Sequence, residues 1–195
     1  MFCMSILLPF CLSLDIARHA LSVGLITGFI LPGIVPVARV SPRLRHEPLT
    51  IAHETGYAEF GVDDLWHPTH FYQGHFKKQD DVVVEQKSGL MWQASGSEHW
   101  MTYPEARSYI DRLNRTRFAG YNDWRLPTVA ELMTLQEAEK QASELCLNPA
   151  FDPTQTWSWT ADSRAEGGAW YVDYYFCTVF WSGFDNVSYV RAVRP

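Results

Sequence analysis

The sequence predicts an α+β domain in which a layer of helix packs on antiparallel sheet, and three observations carry that prediction. A hairpin signature opens the folded region. Two helices with legible start signals follow it. From residue 156 onward the chain alternates as strands.

The hairpin lies in "DDVVVEQKSGLMWQ". Val82–Val84 is a β-branched run, Lys87-Ser88-Gly89 supplies a turn, and Leu90–Trp92 returns as a second apolar strand. Helix one starts where Thr102 and Glu105 form a capping box, with Pro104 tolerated in the first turn. Tyr103, Ala106, Tyr109, Ile110 and Leu113 then recur on one face, and Asn114 is a natural end. The stretch "RFAGYNDWRLPTVAEL" joins the helices. Gly120 and Asn122 suit left-handed backbone, so "AGYND" reads as a tight turn. Trp124 and Leu126 flank Arg125 in a short strand, and Arg125 is near enough in sequence to pair with Asp123. Thr128 and Glu131 form a second capping box, with Val129, Leu132 and Met133 as the buried face of helix two.

The last third is strand-like: "TWSWTAD", the turn "RAEGG", "AWYVDYYFCTVFW", then "VSYVRAVR". Trp170, Val172 and Tyr174 share one face and Tyr171, Asp173 and Tyr175 the other. In the final strand Val190 and Ala192 face away from Tyr189, Arg191 and Val193. Trp92, Trp124, Arg125, Trp159 and Trp170 are the expected structural residues.

Ahead of this region, "ALSVGLITGFILPGIVPVA" (20–38) is uncharged and broken by Pro32, Gly33 and Pro36. It reads as part of an N-terminal export signal or signal-anchor over residues 1–38, the alternative being a misassigned start. Residues 39–70, with Pro42, Pro48 and Pro68, read as a linker or loosely attached arm. The folded domain is expected over 71–195. Its location is then extracytoplasmic (periplasm, cell surface or medium), membrane-anchored only if the N-terminal segment is retained.

Net charge is −6, and removing residues 1–38 takes away one charge of each sign, so the balance holds. An acidic domain is a poor phosphate-backbone binder, which argues against nucleic acid. Of four cysteines, Cys146 and Cys177 lie in the folded part. One disulfide or two buried thiols are both compatible with their positions.

The blocks "SGLMWQ", "LN", "FAGYNDWRLPT..EL", "WSWTAD", "AWYVDY" and "YVRAVR" occur in one order from Phe71 to Pro195. That series resembles the bacterial domain family typified by the C-terminal domain of the Legionella collagen-like protein. The resemblance implies a C-type-lectin-like fold, two helices on antiparallel sheets, with "GYNDWRLPT" as scaffold. It also implies an extracytoplasmic setting, the typifying protein being an adhesin that binds glycosaminoglycans. Many members have cysteines where this chain has Ile110 and Ala192, so that staple is missing and apolar packing replaces it. The triplets nearest a lectin calcium site, Leu147-Asn148-Pro149 and Tyr121-Asn122-Asp123, bring no carboxylate cluster, so calcium-dependent sugar binding is not expected.

Three constellations remain. Tyr175, Phe180, Trp181, Phe184, Asp185 and Asn186 form either a binding face or an aromatic sheet packed against the arm. Arg107, Arg112, Arg115 and Arg117 line either a solvated face or an anion patch. His67, His70 and His75, after Asp63 and Asp64, are a weak zinc or copper candidate. For catalysis no nucleophile, paired-carboxylate or phosphate-loop signature stands out, and Cys146 and Cys177 do not match the cysteines of formylglycine-generating enzymes. The expected function is therefore non-enzymatic recognition of a glycan or protein surface, without cofactor or calcium. Tyr175, Phe180, Trp181, Phe184, Asp185, Asn186, Arg107 and Arg112 are its candidate residues. A structural or sensory envelope module without small ligand is the alternative, and oligomers are compatible with either.

Overall fold

The computed structural model describes residues 44–195, so the expected signal or anchor at 1–38 lies outside them. The described residues are α+β and dominated by antiparallel strands in curled sheets. One four-stranded sheet runs β1 (Thr50–Ile51), β6 (Trp157–Arg164), β7 (Ala169–Asp173), β8 (Thr178–Ser182), with only β1–β6 parallel. A second runs β10 (Val193–Arg194), β4 (Met91–Gln93), β3 (Val82–Glu85), β2 (Phe76–Gln79). The pair β5 (Met101–Thr102) and β9 (Val187–Ser188) completes the set.

The expected hairpin is β3–β4. Glu85 organises its turn, accepting N–H bonds from Ser88 at 2.6 Å and Lys87 at 3.1 Å and another from His75 at 2.9 Å. Burial opposes its charge, but these donors prevail and pull its pKa down to about 2. Strand β2 has no apolar signature because it is a solvated edge: Lys77, Lys78 and Gln79 are exposed, which also protects the edge from pairing with another chain.

Helix α2 (Tyr103–Thr116) begins at the Thr102/Glu105 capping box and buries Ala106, Tyr109, Ile110 and Leu113. It runs past Asn114 to Thr116 and closes on Arg117, whose φ is 52°. Asn114 is thereby free to dock the next segment. Its amide N–H donates to Trp124 O at 2.9 Å, and its Oδ1 accepts from Trp124 N at 2.8 Å. The left-handed positions of the linking turn are Arg117, Ala119 and Gly120, not Asn122, because the helix cap and the 3-10 turn after it take up the reversal. Ile110 and Ala192 are buried in the same apolar cluster as Trp124 and Trp159.

Arg125 pairs with Glu131 at 2.6 and 2.7 Å rather than with Asp123, which is held by Arg194 at 2.6 and 3.0 Å. Glu131 is the stronger partner because it is fully buried where Asp123 is half exposed, and Coulomb attraction grows as water is excluded. Glu131 also caps helix α3 (Val129–Met133) through the Thr128 N–H at 2.8 Å.

The segment read as an arm is, from Leu44 onward, built into the domain. Arg45 forms a bidentate pair with buried Asp162 (2.7 and 2.8 Å), and His46 Nδ1 lies 2.7 Å from Glu131. Helix α1 (Gly56–Phe60) follows β1, and Ile51, Phe60, Val62 and Trp66 enter the same core as Trp92, Leu132 and Trp170. A two-residue strand and a five-residue helix are too short to print a periodicity. Arg191, which alternation puts on the strand face opposite Val190 and Ala192, is fully buried. Its guanidinium donates to the carbonyls of Gln93, Ala94 and Asp152 and to Gln155 Oε1. Desolvation lowers its pKa to about 10, so the cation persists at neutral pH, held by carbonyl dipoles with the charge of Asp152 nearby.

Candidate functional site

The β1-β6-β7-β8 sheet separates two environments. Trp170, Val172 and Val179 point into the core shared with Trp66 and Phe60. Tyr171 and Asp173 point the other way, and register pairs them with Phe180 and Thr178 across the ladder. Toward α2 that second face is closed: Trp159 lies 5.6 Å from Tyr103 and 6.1 Å from Tyr171, ring to ring. Beyond Tyr171 it opens into a cleft of about 420 Å³ floored by Tyr171, Asp173 and Phe180.

Two loops raise its walls. Trp66, buried and left-handed at φ 66°, lends its carbonyl to Val179 N at 2.9 Å, so the 63–67 loop extends the edge of β8. Asp63 shapes that loop by accepting from Leu65 N and His67 N, both 2.9 Å, leaving Leu65 67% exposed at the rim. The opposite wall is the β7–β8 turn, where Phe176 is 65% exposed. Cys177 ends that turn and is disulfide-bonded to Cys146, with Cα atoms 5.5 Å apart, which resolves the two readings of these cysteines. Among the described residues, Leu65, Phe176 and Phe180 (42%) are large apolar groups left to water around one concavity.

Asp173 is the polar centre of the cleft and is only 7% exposed. Its Oδ1 accepts from Tyr175 N at 2.8 Å and Phe176 N at 2.9 Å. Burial raises its pKa, and those two N–H groups together with the charge of Lys140 offset that only in part. Burial also raises the Tyr171 phenol, and the nearby Asp173 charge adds to the effect.

The sequence-selected residues divide. Phe180 and Tyr175 stay on this side of the molecule, Tyr175 beneath the Lys140 ammonium at 4.3 Å. Trp181 turns to the opposite face, edge-on to His53 at 6.2 Å and under the Arg164 guanidinium at 3.6 Å. It is a packing residue against the 53–66 segment. The aromatic run thus divides across β8, with Trp181 packed on one face and Phe180 exposed on the other. Phe184 leans on Tyr103 at 5.3 Å, Asn186 donates to Ser182 Oγ at 2.7 Å, and Asp185 is exposed beside them, all in the β8–β9 turn and none lining the cleft.

Arg107 and Arg112 diverge by about 140° around α2. Arg107 acts on the Tyr103 phenol, whereas Arg112 stacks on Tyr109 at 5.0 Å in a separate groove of about 460 Å³ with Glu98 and His99. They form no single anion patch. Nor do the histidines converge: His67 lies 3.7 Å from Asp63, His70 bonds to Thr69, and no three His, Cys, Asp or Glu side chains gather among the described residues. Leu65, Tyr171, Asp173, Phe176 and Thr178 are the cleft residues that sequence reading did not select. The alternation of "AWYVDYY" already places Tyr171 and Asp173 on one face, but the Leu65 rim is set by tertiary contacts.

Among the described residues no helix is long and apolar enough to cross a membrane. No curated protein and no solved structure matches this chain. The sequence model of the Lcl C-terminal domain matches residues 81–194, which span β3, β4 and β10 of the second sheet, α2, α3 and the aromatic strands, and the chain belongs to that family.

Proposed function

We propose that this domain is a calcium-independent, non-enzymatic binding module of an exported protein, taking a glycan or protein surface on the aromatic face of β7 and β8. One observation carries the reading. Leu65, Phe176 and Phe180 stay exposed around a nearly buried carboxylate on a sheet whose other face packs into the core. Exposed aromatic anchors with one convergent polar group mark recognition sites.

Supporting features lie around that face. The disulfide suits an oxidising compartment. A C-type-lectin-like fold accords with α2 and α3 on antiparallel sheet and with β10 returning to pair with β4. Calcium independence accords with Asp123 being engaged by Arg194 and with Asn148 Oδ1 being taken by Ala150 N. The test is a glycan array and a surface-protein capture screen with the full chain, with and without chelator, comparing wild type with Phe180→Ala and Phe176→Ala. Loss of the captured ligand in both variants, with unchanged melting temperature, is the expected result. Retained binding in both sinks this face, and steep salt sensitivity would move the site to the Arg112 groove. With no hit in either screen, the structural or sensory alternative gains.

A further inference from the structure

The cleft contains an incomplete electrostatic arrangement. Asp173 sits 7% exposed at its floor, and its Oδ1 is occupied by the amides of Tyr175 and Phe176. Among the described residues no group donates to its Oδ2 and no cation forms an ion pair with it. Lys140, whose charge reaches it, lies instead over the Tyr175 ring. A carboxylate this buried is normally matched by charge. Here the cleft around it is lined by three aromatic rings, Tyr171 and Phe180 as ladder partners 6.4 Å apart and Phe176 on the wall, together with Thr178, its own ladder partner, and His67 and Leu65.

The geometry points to a site for a primary ammonium group, supplied by a lysine side chain of a partner protein. Three aromatic rings line the cleft, and a ring face attracts a cation through its quadrupole. Oδ2 stays open to the cleft and can accept an N–H donor, which a primary ammonium has and a quaternary one lacks. A neutral sugar would bury the carboxylate further without supplying charge. The apolar stem of lysine matches Leu65 on the wall and Phe180 on the floor, and its charge complements Asp173 with Asp63 close by at the rim. This rests on the reading of the face above and selects the protein alternative within it.

The experiment titrates the full chain with Nα-acetyl-lysine methylamide and follows the backbone amide resonances of Tyr175 and Phe176, the two N–H groups that hold Asp173. The comparison probes are the norleucine analogue, the Nε-trimethyl-lysine analogue and glucosamine. Lysine should shift both resonances saturably, with norleucine and trimethyl-lysine each about tenfold weaker and glucosamine weaker than lysine. Asp173→Asn should lose about tenfold. Phe180→Leu, which keeps apolar area and removes the ring, should lose about threefold and serves if the asparagine variant does not fold. Equal response to norleucine or to trimethyl-lysine, a preference for glucosamine, or an unchanged response in Asp173→Asn overturns the proposal. If Phe180→Ala abolishes capture of a ligand while lysine and norleucine act alike, the ammonium site fails and the aromatic face stands.

Discussion

Replacing Glu131 by Gln tests the idea that the scaffold beneath the site hangs on one buried carboxylate. Glu131 is fully buried and takes bonds from Arg125 Nη1 and Nη2 (2.7 and 2.6 Å), His46 Nδ1 (2.7 Å) and Thr128 N (2.8 Å). Gln keeps one carbonyl oxygen for these partners and turns an NH2 toward the rest. Two charge-assisted bonds are lost, each worth about 1.5–3 kcal/mol in a buried setting. Arg125 and His46 retain 31% and 51% side-chain exposure and recover water, which discounts that sum to about 2–3 kcal/mol. For a unit of this size that is a fall in Tm of about 5–10 °C.

The pH dependence has a defined sign. Burial pushes the Glu131 carboxyl up, but the bonds from Arg125, His46 and Thr128 outweigh it and hold its pKa below the ordinary 4.5. Its stabilisation is therefore complete above pH 4.5 and lost as pH falls through the folded value. Urea unfolding followed by tryptophan fluorescence at pH 7, 5 and 3 should show the full gap between wild type and Glu131→Gln at pH 7 and a narrower one at pH 3. Other acid-sensitive groups, Glu85 foremost, are common to both proteins and cancel in the difference. A gap under about 0.5 kcal/mol at pH 7, or one unchanged at pH 3, refutes the reasoning.

Three further outcomes are expected. Cys146→Ala with Cys177→Ala opens a loop of sequence separation 31 and should cost about 3–4 kcal/mol by loop entropy, read as a lower urea midpoint that reductant reproduces in wild type. Asp173→Asn should be at least as stable as wild type at pH 7: a folded pKa raised by burial means stability present below the ordinary value is lost as pH rises, and the asparagine escapes that loss. Phe180→Ala should cost under about 1 kcal/mol and Trp181→Ala about 2–3 kcal/mol, since the first side chain is half in water and the second packs beneath Arg164 and beside His53; equal costs would refute the assignment of the two to opposite faces.

What was legible in the chain is what local chemistry controls. Both capping boxes, the hairpin and the face assignment of Trp170 against Tyr171 follow from residues within one element, and the structure has them where spacing puts them. What was not legible depends on partners distant in sequence. Arg125 selects Glu131 over Asp123 because burial, which no window of sequence displays, decides which carboxylate is stronger. Alternation gives the strand face of Arg191 but not its burial, which arises because carbonyls from residues 93, 94 and 152 converge on it. The cleft belongs to this second category. Its floor, Tyr171 and Asp173, is readable from period-two alternation, but its walls are not. One comes from a loop more than a hundred residues upstream that extends β8 through Trp66. The other comes from a turn whose far end is tied by a disulfide to residue 146. A segment poor in periodic signal thus supplies both a core tryptophan and the rim of the candidate site, which is why reading 39–70 as a linker also hid where the site's edge would be.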